Sequence, residues 1–312
     1  MATWSDLSNE ISRAVGEAGK SIVTVQGRGG RTSSGIILDE TTVLTAAHAV
    51  HDEENIRMWI SPEHPITASV KGRDSGTDIA VLKTEASLTE SKADAAGDVH
   101  ARPAQFNENP QLAVGQLVVA VARTWRGNLV ASSGVLSGLM GEWHTFRGKK
   151  IETFIRPDLT LYRGFSGGAL IGADQKIIGM TTAALRRGSP LALPYSTIKR
   201  ITTVLLEKGY IPAPYLGVGL QPVRLPESLK QKLNLTERAG ALVVHVEPES
   251  PADKAQFLVG DILLKLGDSM FEEEPPRPIL ARLSPGQSMS ITGVRGGQMF
   301  SWNVSIGERP RR

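Results

Sequence analysis

Short apolar segments, broken by glycine and polar turn residues, constrain the fold of this chain more than any other feature. No stretches of helical periodicity alternate with them, so parallel βαβ units are not predicted. Short strands at regular intervals are typical of β-barrels and β-sandwiches, and the chain is predicted to be mainly β. The segments are residues 22–25, 36–38, 43–44, 79–82, 117–121, 130–136, 151–155, 169–171 and 177–180.

A proline-rich connector divides the chain into two domains, as expected for 312 residues. Ile211-Pro-Ala-Pro214 is incompatible with a helix, because proline fixes φ and lacks a backbone donor. The helix predicted just before it spans residues 197–208, with Gly209 just beyond its end. The predicted parts are an N-terminal helical segment (1–20), a β-domain (21–209), a linker (210–214) and a second domain of strands and short helices (215–312).

Composition excludes several kinds of chemistry. The chain has no cysteine, which rules out disulfides, a thiolate nucleophile and cysteine-bound zinc. The six histidines form no H-E-x-x-H motif, so no metal site is predicted. The net charge is +3 with no long block of either sign, and a nucleic-acid partner is not predicted. No apolar run approaches the roughly 20 residues that span a bilayer.

Three motifs predict a nucleophilic site. His48 ends the run Leu44-Thr-Ala-Ala-His48, Asp78 opens an apolar strand, and Ser166 lies between glycines in Gly164-Phe-Ser-Gly-Gly168. A serine hydroxyl is a weak nucleophile near neutral pH, so it needs a base, and a third group must hold that base in the right tautomer. Ser166 is the candidate nucleophile, His48 the base and Asp78 the group that orients it.

The glycines beside Ser166 fit the same chemistry. A tetrahedral intermediate carries a negative oxygen, which backbone N–H groups can stabilise in a tight turn. The amides of Gly164 and Ser166 are the candidate oxyanion hole. Each motif alone is commonly structural; their combination in one chain favours catalysis.

An esterase is the rival enzyme, because G-x-S-x-G is also the nucleophile elbow of α/β-hydrolases. That fold requires a helix after the serine and a histidine later in the chain. Here an apolar strand follows Ser166, and the only later histidine is His245 in the second domain. The order His, Asp, Ser therefore disfavours the esterase.

The chain resembles the high-temperature-requirement (HtrA/Deg) serine proteases, whose trypsin-like double six-stranded β-barrel is followed by a PDZ domain (α+β). It departs from the family pattern at Phe165, Ala169 and Arg163-Gly164. The segments that carry the resemblance are Ser34-Gly-Ile-Ile37, Thr45-Ala-Ala-His48, Thr77-Asp-Ile-Ala-Val-Leu-Lys83, Ser133-Gly-Val-Leu136, Gly164-Phe-Ser-Gly-Gly168, Ile178-Gly-Met180, Tyr215-Leu-Gly-Val218, Ser250-Pro-Ala-Asp-Lys-Ala255 and Val259-Gly-Asp-Ile-Leu263.

The resemblance implies an ATP-independent serine endopeptidase that cleaves unfolded or damaged protein in quality control and stress response, without a cofactor. It implies a homo-oligomer, with a trimer favoured, to which residues 1–20 contribute. The bacterial periplasm or cell envelope is expected if a leader has been removed, and the cytoplasm otherwise. The alternative is a non-catalytic peptide-binding or chaperone-like protein on the same fold.

Position in the family pattern also suggests two binding sites. An uncharged substrate pocket would favour cleavage after Val, Ala, Ile or Leu, because burial of aliphatic groups is favourable by about 0.8 kcal/mol per CH₂. The PDZ-like loop would bind C-terminal peptides through its backbone amides. The candidate pocket residues are Thr160, Leu161, Thr181, Thr182 and Ala183, and the candidate peptide-binding residues are Tyr215, Leu216, Gly217 and Val218.

Overall fold

The computed structural model describes residues 3–27, 30–62, 65–89, 101–125, 127–186 and 189–310. It divides into two compact units, the first of residues 1–146 and 150–211 and the second of residues 147–149 and 212–312. The outermost residues of the predicted domains, 1–2 and 311–312, lie outside the described part.

The first unit opens with helix α1 (Trp4–Gly19). Its N-terminus carries a capping box, in which Thr3 Oγ1 accepts from the Asp6 backbone N–H and the Asp6 carboxylate accepts from the Thr3 N–H. At its other end, the buried Arg123 guanidinium donates to the Gly19 carbonyl at 3.0 and 3.2 Å. Side chains therefore form hydrogen bonds with backbone groups at both ends of α1.

Six antiparallel strands close the first barrel in the order β1-β2-β3-β6-β5-β4. Its interior is filled by β-branched and other aliphatic side chains such as Val25, Ile37 and Leu82, which are fully buried. A 3-10 turn over Ala47–Ala49 follows the third strand and carries His48. The strands are β1 (Ile22–Gln26), β2 (Thr32–Asp39), β3 (Thr42–Ala46), β4 (Ile56–Trp59), β5 (Pro65–Asp74) and β6 (Ile79–Thr84).

A second closed barrel has the order β11-β14-β13-β12-β7-β8, and helix α2 (Tyr195–Lys208) follows it. A small hairpin, β9 paired with β10, lies between two of its strands in the chain. The strands are β7 (Leu117–Thr124), β8 (Asn128–Met140), β9 (Trp143–His144), β10 (Lys150–Ile151), β11 (Phe154–Asp158), β12 (Ala169–Ile171), β13 (Ile177–Thr182) and β14 (Leu191–Pro194).

The second unit is built on a sheet of order β16-β17-β18-β20-β21, with β19 paired to β18. Its core contains Phe257 and Trp302, whose rings stack 4.8 Å apart. The elements are β15 (Pro214–Tyr215), β16 (Val218–Arg224), α3 (Glu227–Leu233), β17 (Ala239–Val246), α4 (Pro251–Lys254), β18 (Ile262–Leu266), β19 (Ser269–Met270), α5 (Pro276–Ala281), β20 (Ser288–Arg295), β21 (Gln298–Ser305) and β22 (Gly307–Glu308).

This architecture confirms the predicted fold class, a mainly β chain with two six-stranded barrels followed by an α+β domain. Within the described ranges, no helix is both long and apolar enough to cross a membrane.

Candidate active site

His48 and Asp78 form the acid–base pair of the site. The His48 ring nitrogen Nδ1 lies 2.9 Å from both carboxylate oxygens of Asp78, and the His48 backbone N–H donates to Oδ1, also at 2.9 Å. The side chain of Asp78 is 4% exposed, whereas that of His48 is 43% exposed. The acid is thus sealed from solvent, while the imidazole can reach a substrate.

The loop before Asp78 is held by a second buried carboxylate, that of Asp74. Its oxygens accept from the Gly76 N–H, the Thr77 N–H and the Thr77 hydroxyl at 2.7–3.2 Å. Asp78 itself has φ +61°, a left-handed conformation that is costly for a residue with a side chain. The Asp74 contacts fix the turn in which this conformation occurs. The Asp and Thr three residues apart were an available sequence signal for such a turn.

Thr182, a residue of the predicted substrate pocket, completes the surroundings of Asp78. Its hydroxyl donates to Asp78 Oδ2 at 2.5 Å, and its side chain is fully buried at the end of β13. The neighbouring Thr181 is also fully buried, and its hydroxyl donates to the Phe165 carbonyl at 2.6 Å. Neither side chain is open to a substrate, because each hydroxyl is used to hold the site together.

The end of β13 also connects the acid to Ser166. Next to Thr182, the Ala183 backbone N–H donates to Ser166 Oγ at 3.4 Å. Two consecutive residues therefore contact Asp78 on one side and Ser166 on the other. The structure brings the three predicted triad residues into one region, where the two barrels of the first unit meet.

Phe165, the residue before the candidate nucleophile, is buried in the second barrel. It is 2% exposed and packs in the cluster that contains Leu136, Ile155 and Leu170. Its carbonyl accepts from the Gly168 N–H at 2.9 Å as well as from Thr181. An apolar anchor thus holds the loop of Ser166, at a position where the sequence departs from the family pattern.

Gly164, one of the two candidate oxyanion-hole residues, has a backbone conformation that glycine permits. Gly164 has φ +98°, and a Cβ built on it would lie 2.5 Å from the Thr124 side chain. A substitution at Gly164 would therefore be strained and would clash, so the loop that carries both amide donors requires glycine there.

The other predicted pocket residues remain open to substrate. Thr160 and Ala183 are exposed, and Leu161 is half-buried against the apolar cluster around Phe165. Their role in substrate binding stays a prediction.

The electrostatics of the pair set the protonation of His48. The hydrogen bond to Asp78 raises the pKa of His48 above its ordinary value of 6.5, burial of the ring opposes this, and the negative charge of Asp78 adds to the rise. The imidazole is therefore held ready to take up a proton and to be stabilised as imidazolium.

The predicted peptide-binding loop lies at the edge of the second unit's sheet. Gly217 has φ +81°, and its carbonyl accepts from the Glu247 N–H at 2.8 Å. Leu216 is buried in the core, whereas Val218 begins the edge strand β16. A cavity of about 450 Å³ opens beside the loop, and its walls include Tyr215, Leu216, Gly217, Val218, His245 and Leu280.

Comparison with known proteins assigns each unit to a domain family. Residues 33–180 match the trypsin-like peptidase domain, and residues 214–306 match the PDZ domain. A probable periplasmic serine endoprotease, DegP-like, from Hahella chejuensis is 28% identical over 286 residues, covering 89% of this chain and 57% of that protein. The chain spans little more than half the length of the curated relatives it matches.

Solved structures share the fold over nearly the whole chain. The serine endoprotease from Yersinia pestis superposes with a TM-score of 0.67 at 23% identity, covering 96% of this chain and 98% of that one. The HtrA-type protease AlgW with a decapeptide gives 0.67 at 22% identity, covering 96% and 99%. The chain thus carries a trypsin-like peptidase domain followed by a PDZ domain, and in this arrangement it is similar to HtrA-type proteases.

Proposed function

We propose that this chain is a serine endopeptidase that cleaves unfolded or damaged proteins without ATP. The observation that carries the proposal is the bridge made by Thr182 and Ala183, which contact Asp78 and Ser166 respectively. With His48 bound to Asp78, this arrangement supports a nucleophile, base and orienting acid in one site. Serine endoproteases among its relatives agree with this chemistry.

In the proposed mechanism, Ser166 Oγ attacks the scissile carbonyl carbon while His48 Nε2 takes up the hydroxyl proton. Asp78 stabilises the imidazolium through Nδ1. The N–H groups of Gly164 and Ser166 stabilise the oxyanion of the tetrahedral intermediate. His48 then donates its proton to the leaving amine, and water releases the acyl group by the reverse sequence.

We propose a pocket that selects aliphatic residues before the cleaved bond. Thr160, Leu161 and Ala183 carry no charge, so they offer no partner for lysine or arginine. Burial of a few CH₂ groups makes some substrates bind more tightly than others but does not select one sequence.

Digestion of unfolded casein tests the catalytic proposal. The wild-type chain should cleave it mainly after Val, Ala, Ile or Leu, as mass spectrometry of the fragments would show, and Ser166→Ala should be at least about 10⁴-fold slower. Cleavage mainly after basic residues would contradict the proposed pocket. Equal inertness of both proteins toward casein and other unfolded substrates would instead favour the non-catalytic peptide-binding alternative.

We propose further that the second unit binds the C-terminus of a peptide. The peptide would add as a strand to β16, and the backbone at 215–218 would hold its carboxylate. Support comes from the edge position of β16 and from the neighbouring cavity. Fluorescence anisotropy with an aliphatic decapeptide should show at least tenfold weaker binding when its C-terminus is amidated; equal affinity would contradict carboxylate recognition.

We also propose how copies of the chain assemble. We expect a homo-oligomer, with a trimer favoured, formed through the N-terminal segment, where Trp4 is 84% exposed. Light scattering should give the mass of three copies, and a monomeric mass would exclude the trimer.

We propose that the chain lies in the periplasm or cell envelope, because relatives are named periplasmic. Recovery only in the cytoplasmic fraction of the source cell would contradict that location.

A further inference from the structure

Ser34 contacts the nucleophile loop from the opposite barrel at two points. It lies in β2 and is fully buried. Its backbone N–H donates to the Ser166 carbonyl at 2.9 Å, and its hydroxyl donates to the Gly164 carbonyl at 2.8 Å. One residue of the first barrel therefore holds the carbonyls of both candidate oxyanion-hole residues.

The direction of the Ser34 hydroxyl is set by a third contact. The Arg123 N–H donates to Ser34 Oγ at 3.0 Å and so occupies one of its lone pairs. The single hydroxyl proton has two acceptors in reach, the Gly164 carbonyl at 2.8 Å and the Arg123 carbonyl at 3.1 Å. The shorter distance favours Gly164.

The backbone of β2 at Ser34 and that of the nucleophile loop at Gly167 pass each other in direct contact. A Cβ built on Gly167 would lie 2.0 Å from the Ser34 carbonyl oxygen, which itself accepts from the Thr45 hydroxyl at 2.7 Å. Strand β2 is thus held to the neighbouring β3 by the Thr45 hydroxyl, and the nucleophile loop lies directly against it.

We propose that Ser34 is a positioning residue that fixes the oxyanion hole. Within Gly164 and within Ser166, only φ and ψ separate the amide donor from the carbonyl that Ser34 holds. A fixed carbonyl therefore restricts the direction of each N–H, and donors aligned in advance cost no reorganisation as charge develops. This inference rests on the proposed endopeptidase function.

The neighbouring Ser33 provides a matched control. Ser33 is also buried, at 5% exposure, but among the described residues its hydroxyl has no hydrogen-bond partner. Ser34→Ala should lower kcat about 10- to 100-fold with KM within about twofold of wild type, because the loss is in alignment of donors used in the transition state. Ser33→Ala should leave both constants nearly unchanged.

Two further readouts separate positioning from a merely structural role. An aliphatic peptide boronic acid, which forms a tetrahedral adduct on a serine nucleophile, should bind Ser34→Ala at least tenfold more weakly than wild type. A peptide alcohol, the analogue of a peptide aldehyde that cannot react with the serine, should bind Ser34→Ala and wild type equally. The pH at half-maximal kcat/KM should not move, because none of the hydrogen bonds of Ser34 goes to His48 or Asp78.

A second pair of variants keeps the proposal testable if Ser34→Ala folds poorly. Ser34→Thr and Ser34→Val have the same shape and differ in the hydroxyl, so the threonine protein should be the faster by at least tenfold. Equal rates of these two, or full activity of folded Ser34→Ala, would overturn the positioning role while leaving the proposed endopeptidase intact. Inertness of the wild type and Ser33→Ala would overturn the proposed function, and the positioning role with it.

Discussion

The two halves of the candidate active site are held in place by different kinds of contact. The acid–base half, His48 with Asp78 and Thr182, is joined by hydrogen bonds to a buried carboxylate. The nucleophile half, residues 164–168, is held by the buried ring of Phe165 and by hydrogen bonds to its backbone.

This difference indicates what each half responds to. Hydrogen bonds to a charge depend on protonation, so the acid–base half should be sensitive to pH. A buried ring depends on volume and shape, so the nucleophile half should be sensitive to cavities and indifferent to pH. Substitutions in each half test this contrast.

Asp78→Asn should have the largest effect. The amide cannot stabilise the imidazolium and favours the wrong tautomer, so we expect kcat to fall about 10⁴-fold, measured on a chromogenic peptide. Asp52→Asn, which alters an exposed carboxylate near His48 in the sequence, is the control and should retain activity. A rate for Asp78→Asn within tenfold of wild type would remove Asp78 from the mechanism.

Phe165→Ala should come next. The cavity should lower the free energy of unfolding by about 3–5 kcal/mol, and the loosened loop should lower kcat roughly 100-fold. Phe165→Leu keeps most of the apolar volume and should lose much less of both. Urea denaturation and steady-state kinetics measure the two effects. Wild-type stability and rate in Phe165→Ala would show that the ring does not anchor the loop.

Thr182→Val should lower kcat about tenfold. The change keeps the shape of the side chain but removes one donor to a buried charged acceptor, a loss of roughly 1.5–3 kcal/mol that falls partly on stability. Thr203→Val, at an exposed position of α2, is the matched control for this substitution. An unchanged rate in Thr182→Val would mean that the His48 contacts alone fix Asp78.

The smallest expected effect is a shift in the pH dependence of kcat/KM. His48 must be neutral to accept a proton, so kcat/KM should rise with pH through a His48 pKa that lies above 6.5. Asp78→Asn should move this rise to lower pH, because it removes the hydrogen bond and the charge that raise the pKa. Phe165→Leu should leave it in place. A wild-type midpoint below 6.5 would contradict the proposed pairing.

The raised pKa of His48 should also affect the stability of the folded chain. Because this pKa is higher in the folded than in the unfolded chain, the pairing of Asp78 with charged His48 stabilises the fold below about pH 6.5. This contribution is lost as pH rises through the folded pKa. It should be absent in Asp78→Asn, as urea denaturation across this range would show.

The fold could be predicted from the sequence because periodicity and turn residues are local signals. Strands such as β7 and β12 have apolar side chains at nearly every position, which is readable without knowledge of their partners. Motif order likewise identified His48, Asp78 and Ser166 as candidates. Position along the chain was enough for these conclusions.

The partners of buried polar groups could not be predicted in the same way. Thr182 was assigned to the pocket from its place after the nucleophile, but its hydroxyl contacts Asp78, 104 residues away in the chain. Ser34 contacts Gly164 across a separation of 130 residues. Such pairings arise when two barrels come together, and no local pattern specifies them.

Labelling with a serine-directed fluorophosphonate, followed by mass-spectrometric mapping, tests most directly whether the two halves form one reactive site. We predict a single adduct on Ser166 in the folded wild type and its loss in His48→Ala or after denaturation. An unmodified Ser166 in the folded protein, or labelling that persists without His48, would contradict the account.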